Sequence, residues 1–201
     1  MSWILVFDMD QTITGDYFNV LKEPEREIDI NPMCLDILQQ AIKGKTTGEI
    51  SAIFLLTNNS DHLYIKKMHK TLKEKLNIPM KEDIFDYIMD ANHSFRRSLS
   101  RHPNHKEKSI QDIYWMCTMT NTAGSYKQNL LERVLFFDDQ DGHTLVSQLR
   151  NAGFHNNFIH INPPYTTPKL KSTKSTKATK YNKTKKSMTK KKPSTKRKYK
   201  K

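Results

Sequence analysis

Three short apolar runs in this chain each end abruptly in a polar cluster, and no other feature constrains the fold as tightly. Trp3–Phe7 is followed by Asp8, Met9, Asp10, Gln11 and Thr12. Residues 52–56 are followed by Thr57, Asn58, Asn59 and Ser60, and residues 134–137 by Asp138, Asp139, Gln140 and Asp141. A fourth run covers residues 158–161, and a weaker fifth covers 85–89. None alternates cleanly between apolar and polar positions. Continuous apolar runs this short suit strands buried on both faces, as in a parallel sheet.

Helical signals fill the intervals. Asn31 before Pro32 reads as an N-cap with a first-turn proline and predicts a helix to about Lys43. Residues 61–76 carry apolar positions at Leu63, Met68, Leu72 and Leu76. Ser109 opens a helix to about Met119, with a Ser-Ile-Gln-Asp start close to a capping box, and Trp115, Met116 and Met119 are expected in the core. A helix over 143–151 ends before Gly153. Strands alternating with helices predict a three-layer α/β/α sandwich with a mainly parallel, Rossmann-like sheet.

Charge divides the chain. Of its 34 Lys and Arg, 16 lie in residues 168–201, which hold no acid. That leaves 18 basic against 21 acidic residues elsewhere, so the net charge of +13 belongs to the tail and the body is mildly acidic. Lys171, Lys174, Lys177, Lys180 and Lys183 recur every third residue among Ser and Thr. Such a segment buries too little apolar surface to offset its ordering entropy, so residues 166–201 are predicted to be a disordered Lys-rich tail behind a domain spanning 1–165. A tail of this kind binds polyanions by counterion release, which makes nucleic acid a candidate partner through 168–201. The alternatives are a nuclear address within 190–201 and a merely solubilising segment. Cys34 and Cys117 give neither zinc spacing nor a disulfide framework. The longest apolar runs are too short for a membrane span or a secretory signal. An intracellular protein, cytoplasmic or nuclear and without membrane contact, is expected.

In a parallel α/β sheet the carboxyl ends of the strands share one edge, and that edge holds the site. The clusters at Asp8, Thr57 and Asp138 should therefore meet. Asp8, Asp10, Asp138 and Asp139 would repel one another unless a cation joined them. Hard oxygen donors without a His/Cys set suit Mg²⁺ better than zinc. Thr57 and a nearby lysine would suit a phosphate at that metal.

The run Asp8-Met9-Asp10-Gln11-Thr12-Ile13 after a hydrophobic strand resembles the first motif of haloacid dehalogenase (HAD) phosphatases. Thr57-Asn58 is similar to the second motif, and Asp138-Asp139 after Val-Leu-Phe-Phe to the fourth. For the third-motif lysine, Lys108 before Ser109 and Ile110 fits best, with Lys106 a close rival. Gln11 stands where glycine is often seen. The resemblance covers about residues 3–162. It implies that Asp8 is the nucleophile and forms an aspartyl-phosphate, and that Asp10 is the general acid and base. It implies that Thr57, Asn58 and Lys108 bind the phosphoryl group. Mg²⁺ would be held by the Asp8 carboxylate, the Asp10 carbonyl and Asp138, with Asp139 in support.

The interval between the first two motifs leaves about 15 residues for a flap, and residues 90–107 offer only a polar loop. By family analogy such a minimal cap leaves an open site, suited to a nucleic-acid phosphate end or a phosphoprotein. The Val-Leu-Phe-Phe-Asp-Asp run, the near-capless body and the Ile-Asn-Pro-Pro end are similar to HAD-like proteins of large DNA viruses. The contrasting expectation is a catalytically idle HAD fold that binds nucleic acid through its tail.

Overall fold

The computed structural model describes residues 2–99, 107–122, 127–162 and 164–166. The chain divides into two units, Met1–Pro168 and Lys169–Lys201. The tail from residue 167, with its expected disorder and nucleic-acid contact, lies outside the described residues, as does Lys106.

The first unit runs β1 (Trp3–Phe7), α1 (Pro32–Thr47), β2 (Ile50–Leu56), α2 (His62–Leu76), β3 (Tyr87–Met89), α3 (Ser94–Leu99), α4 (Ile110–Met119), β4 (Val134–Asp138), α5 (Thr144–Asn151) and β5 (Phe158–His160). The five strands form one sheet in the order β3-β2-β1-β4-β5, and every pairing is parallel. Successive side chains of a strand point to opposite faces, and here both faces are covered. Leu5, Phe7, Ile53 and Leu55 pack with Leu38 of α1 and Met68 and Leu72 of α2. Ile4, Val6, Phe54 and Phe136 pack with Met116 of α4 and Leu149 of α5. The continuous apolar runs follow from this three-layer α/β/α arrangement. Cys34 and Cys117 are free and buried, each in a different one of these two cores. No described helix is long and apolar enough to cross a membrane.

Local chemistry sets most boundaries. Asn31 caps α1 by accepting from the Met33 N–H at 3.1 Å, and Asp61 caps α2 by accepting from Leu63 and Tyr64. In four places the structure differs from the sequence expectation. α1 continues past Lys43 to Thr47, because Gly44 lies against Ile50 and the stop is Gly48, at φ +80°. β3 is shorter than residues 85–89: the Asp86 N–H donates to the Ile53 carbonyl at 2.8 Å, but the Ile53 N–H donates to the Asp86 carboxylate, also at 2.8 Å, instead of to a strand carbonyl. Residues 94–99, expected as loop, form α3, and the Phe95 ring stacks on Trp115 with centroids 4.3 Å apart. Met119 is exposed at the last position of α4, whereas Met116 is buried.

Residues 15–29 form the flap expected between β1 and α1 and hold no helix or strand. Phe18 and Ile28 bury into the core beneath it, and Thr14 bridges both Asp10 and Ile30.

Candidate functional site

Strand order reverses between β1 and β4, and in open α/β sheets the crevice at that reversal is where ligands bind. Asp8 is the first residue beyond β1, and Asp138 is the last of β4. The Asp8 N–H donates to the Phe137 carbonyl at 2.9 Å, which continues the ladder one residue past β1. Both carboxylates therefore leave the sheet at one level, on neighbouring strands. Asp139 completes the group: Asp8, Asp138 and Asp139 each offer a carboxylate oxygen, all within 4.8 Å of one another, and all three residues are buried.

One cation lies among them. Lys108 Nζ is 2.7 Å from Asp8 Oδ1 and 2.6 Å from Asp138 Oδ2, and the residue is only 1% exposed. Its position follows from the start of α4. Asp112 accepts from the Ser109 N–H at 2.8 Å, the reciprocal half of a capping box. The Ile110 N–H donates to Gln148 Oε1 at 2.8 Å, which ties this helix start to α5.

The other expected residues differ in how they meet the site. The Asp10 carboxylate is not in the three-carboxylate group; it accepts from Asn59 Nδ2 at 3.2 and 3.1 Å. A cavity of about 250 Å³ is lined by Asp8, Asp10, Asn58, Lys108, Tyr17 and His143, among others. Thr57 is fully buried and does not line it; its hydroxyl accepts from the Asn59 N–H at 3.0 Å. Asn58 Oδ1 and the Thr57 carbonyl both accept from Arg96, at 2.7 and 2.8 Å. Asp138 Oδ1 accepts from the Gln140 N–H at 2.8 Å, and His143 Nε2 lies 3.8 Å from that oxygen. Gln11 adopts φ +58°, the left-handed conformation that glycine takes most easily. Its carbonyl accepts from the Tyr165 N–H at 2.7 Å.

The electrostatics are those of a site short of positive charge. Burial pushes the Asp8 carboxyl up to about 7; Lys108 opposes the rise and Asp138 adds to it. Burial also raises Asp139, with Asp138 reinforcing, and raises Asp10 against the hydrogen bond from Asn59. Burial pulls Lys108 down, but Asp8 and Asp138 outweigh it and hold the ammonium above its usual value. Carboxyl and ammonium both hold protons more tightly than usual, as three buried acids facing one cation require. A divalent ion fits this donor set by charge and by its hard oxygen chemistry.

Sequence reasoning did not single out Asn59, Arg96 or His143 as site residues. For Asn59 a signal existed, since an amide three residues past the end of a strand can face the loop of the neighbouring strand. For Arg96 there was none: α3 is six residues long with only Phe95 and Leu99 apolar, and the Arg96 side chain is buried only by tertiary packing. Comparison with protein-family models, curated proteins and solved structures gives no match.

Proposed function

We propose that this chain is a Mg²⁺-dependent phosphohydrolase of the HAD type, acting through an aspartyl-phosphate on Asp8. The observation that carries the reading is the Lys108 ammonium between Asp8 and Asp138, with Asp139 beside them and Asp10 at the same cavity. A nucleophile, an acid, a phosphate-binding cation and a hard-oxygen metal set then share one crevice. Mg²⁺ would be held by Asp8, Asp138 and Asp139 and by the Asp10 carbonyl. Bound there, it would supply the charge that lets an anionic nucleophile approach an anionic phosphate.

In the first step an Asp8 oxygen attacks phosphorus and the phosphorus–oxygen bond to the leaving group breaks. Asp10 gives its proton to the departing oxygen; burial favours its protonated form, and Asn59 holds its orientation. In the second step water attacks the same phosphorus and passes a proton to Asp10. The bond to Asp8 breaks and inorganic phosphate leaves. Lys108 faces the charge that develops on the phosphoryl oxygens, and the Asn58 amide lines the same cavity. Thr57 shapes the loop that presents Asn58.

A short flap over residues 15–29 favours a substrate larger than a metabolite. The 16 cations and absent acids of residues 168–201 favour a nucleic-acid phosphate end over a phosphoprotein. The same tail motivates the idle-fold reading, in which the chain only binds nucleic acid. A panel of aryl phosphate, end-phosphorylated DNA and RNA, and phosphopeptides separates these readings. Wild type should release phosphate only with Mg²⁺, and Asp8→Asn should release none. Removal of 168–201 should spare aryl phosphate hydrolysis and weaken action on nucleic-acid ends. Absence of phosphate release from every substrate, with steeply salt-sensitive tail-dependent nucleic-acid binding, would establish the idle fold instead.

A further inference from the structure

Arg96 lies on the six-residue α3, in a stretch whose sequence reads as polar loop. A helix that short has little stability of its own, and the Phe95–Trp115 stack holds it against α4. Arg96 itself is 6% exposed. Its Nη1 donates to the Thr57 carbonyl at 2.8 Å and its Nη2 to Asn58 Oδ1 at 2.7 Å. Its Nε lies 3.6 Å from Asp112 Oδ2, the oxygen that accepts from the Ser109 N–H at 2.8 Å. One side chain thus spans from the loop after β2 to the start of α4. Asn58, which Arg96 touches, and Lys108, the residue before the Ser109 that Asp112 holds, line one cavity.

The choice of arginine fits that geometry. A planar guanidinium presents several donors in a fixed fork, whereas a lysine ammonium is a point charge without that spacing. The pair is also an expensive way to gain stability. Burial pulls Arg96 down and pushes Asp112 up, in each case against the attraction of its partner. Hydrophobic residues commonly stabilise a fold as well as a buried ion pair does, so fixed geometry is the better account of its presence.

We propose that Arg96, backed by Asp112, is a positioning residue that holds the Asn58 loop and the Lys108 end of α4 at one spacing around the substrate phosphate. The inference rests on the phosphohydrolase reading of the same site. A change in that spacing leaves every reacting group present and misplaces it, and an ångström-scale misplacement costs on the order of 100-fold in rate.

The test compares Arg96→Lys and Asp112→Asn with wild type in Mg²⁺ and aryl phosphate. It measures kcat and KM separately, the inhibition constant of inorganic phosphate, and the urea midpoint. Arg96→Lys should lower kcat/KM by about 100-fold and weaken inorganic phosphate in folded protein. Asp112→Asn keeps an oxygen for the Ser109 N–H and removes the charge, so it should give a smaller loss of the same kind. Combining the two should cost less than the product of the single effects, because both act through one pair. Kinetic constants and phosphate affinity within twofold of wild type in either folded variant would overturn the inference while leaving the phosphatase reading intact. Loss of fold in both variants would assign the pair a purely structural role and also overturn it. Absence of turnover in wild type would instead overturn the phosphatase reading.

Discussion

Asp8→Asn should abolish turnover and make the metal-free protein more stable. The substitution keeps the shape of the side chain and removes its charge. Asp8 is 5% exposed, and its carboxyl moves from an ordinary 3.8 to about 7 in the fold. A carboxyl raised on folding binds its proton more tightly in the native state. The contribution of this one group to stability is therefore fully present below about 3.8 and is lost as pH rises through about 7. At roughly 1.4 kcal/mol for each pKa unit, holding Asp8 ionised at pH 7.5 costs at most about 4 kcal/mol. A buried amide takes back about 1–3 kcal/mol of that gain, which leaves roughly 1–3 kcal/mol in favour of Asn. For a domain of this size that corresponds to about 2–12 °C in Tm. The assay is thermal unfolding in EDTA at pH 7.5 and again at pH 5, where the difference should narrow. Added Mg²⁺ should raise the Tm of wild type more than that of Asp8→Asn, since binding to the native state stabilises by mass action. An Asp8→Asn protein less stable than wild type in EDTA at pH 7.5 would refute the claim that the carboxylates are crowded and short of positive charge.

Other substitutions report on Asp10 and on two backbone positions of the fold. Asp10→Asn should lower kcat by about 10²–10⁴-fold with KM little changed, as steady-state kinetics would reveal, because it removes the proton donor from a group outside the three-carboxylate cluster. Gly44→Ala should destabilise by about 1–3 kcal/mol in urea titration, although alanine ordinarily favours a helix; its Cβ would sit 2.7 Å from Ile50 Cγ1. At Gln11, with φ +58°, glycine should be close to neutral in Tm, and valine should destabilise by about 1–3 kcal/mol.

Much of this protein is legible from its sequence, because the features concerned are local. Trp3–Phe7 and the runs near 52–56 and 134–137 are apolar throughout, and 158–161 is broken only by His160; strands covered on both faces need such runs. Asn31 with Pro32, and Ser109 with Asp112, set helix starts through hydrogen bonds that span two or three residues. The order of the clusters at Asp8, Thr57 and Asp138 predicted a common edge, since a parallel sheet brings strand ends together whatever their separation in sequence. Tertiary packing decided what depends on distant neighbours. Gly44 does not end α1, because Ile50 of the next strand lies against it. Thr57 turns its hydroxyl to its own loop, while Asn58 reaches the cavity. Lys108 rests between Asp8 and Asp138, about a hundred and thirty residues apart in sequence, and gains its place from their charge. Arg96 is buried because α3 packs on α4. A charged side chain looks the same in sequence whether it is solvated or enclosed, and only the fold supplies the partners that make enclosure favourable.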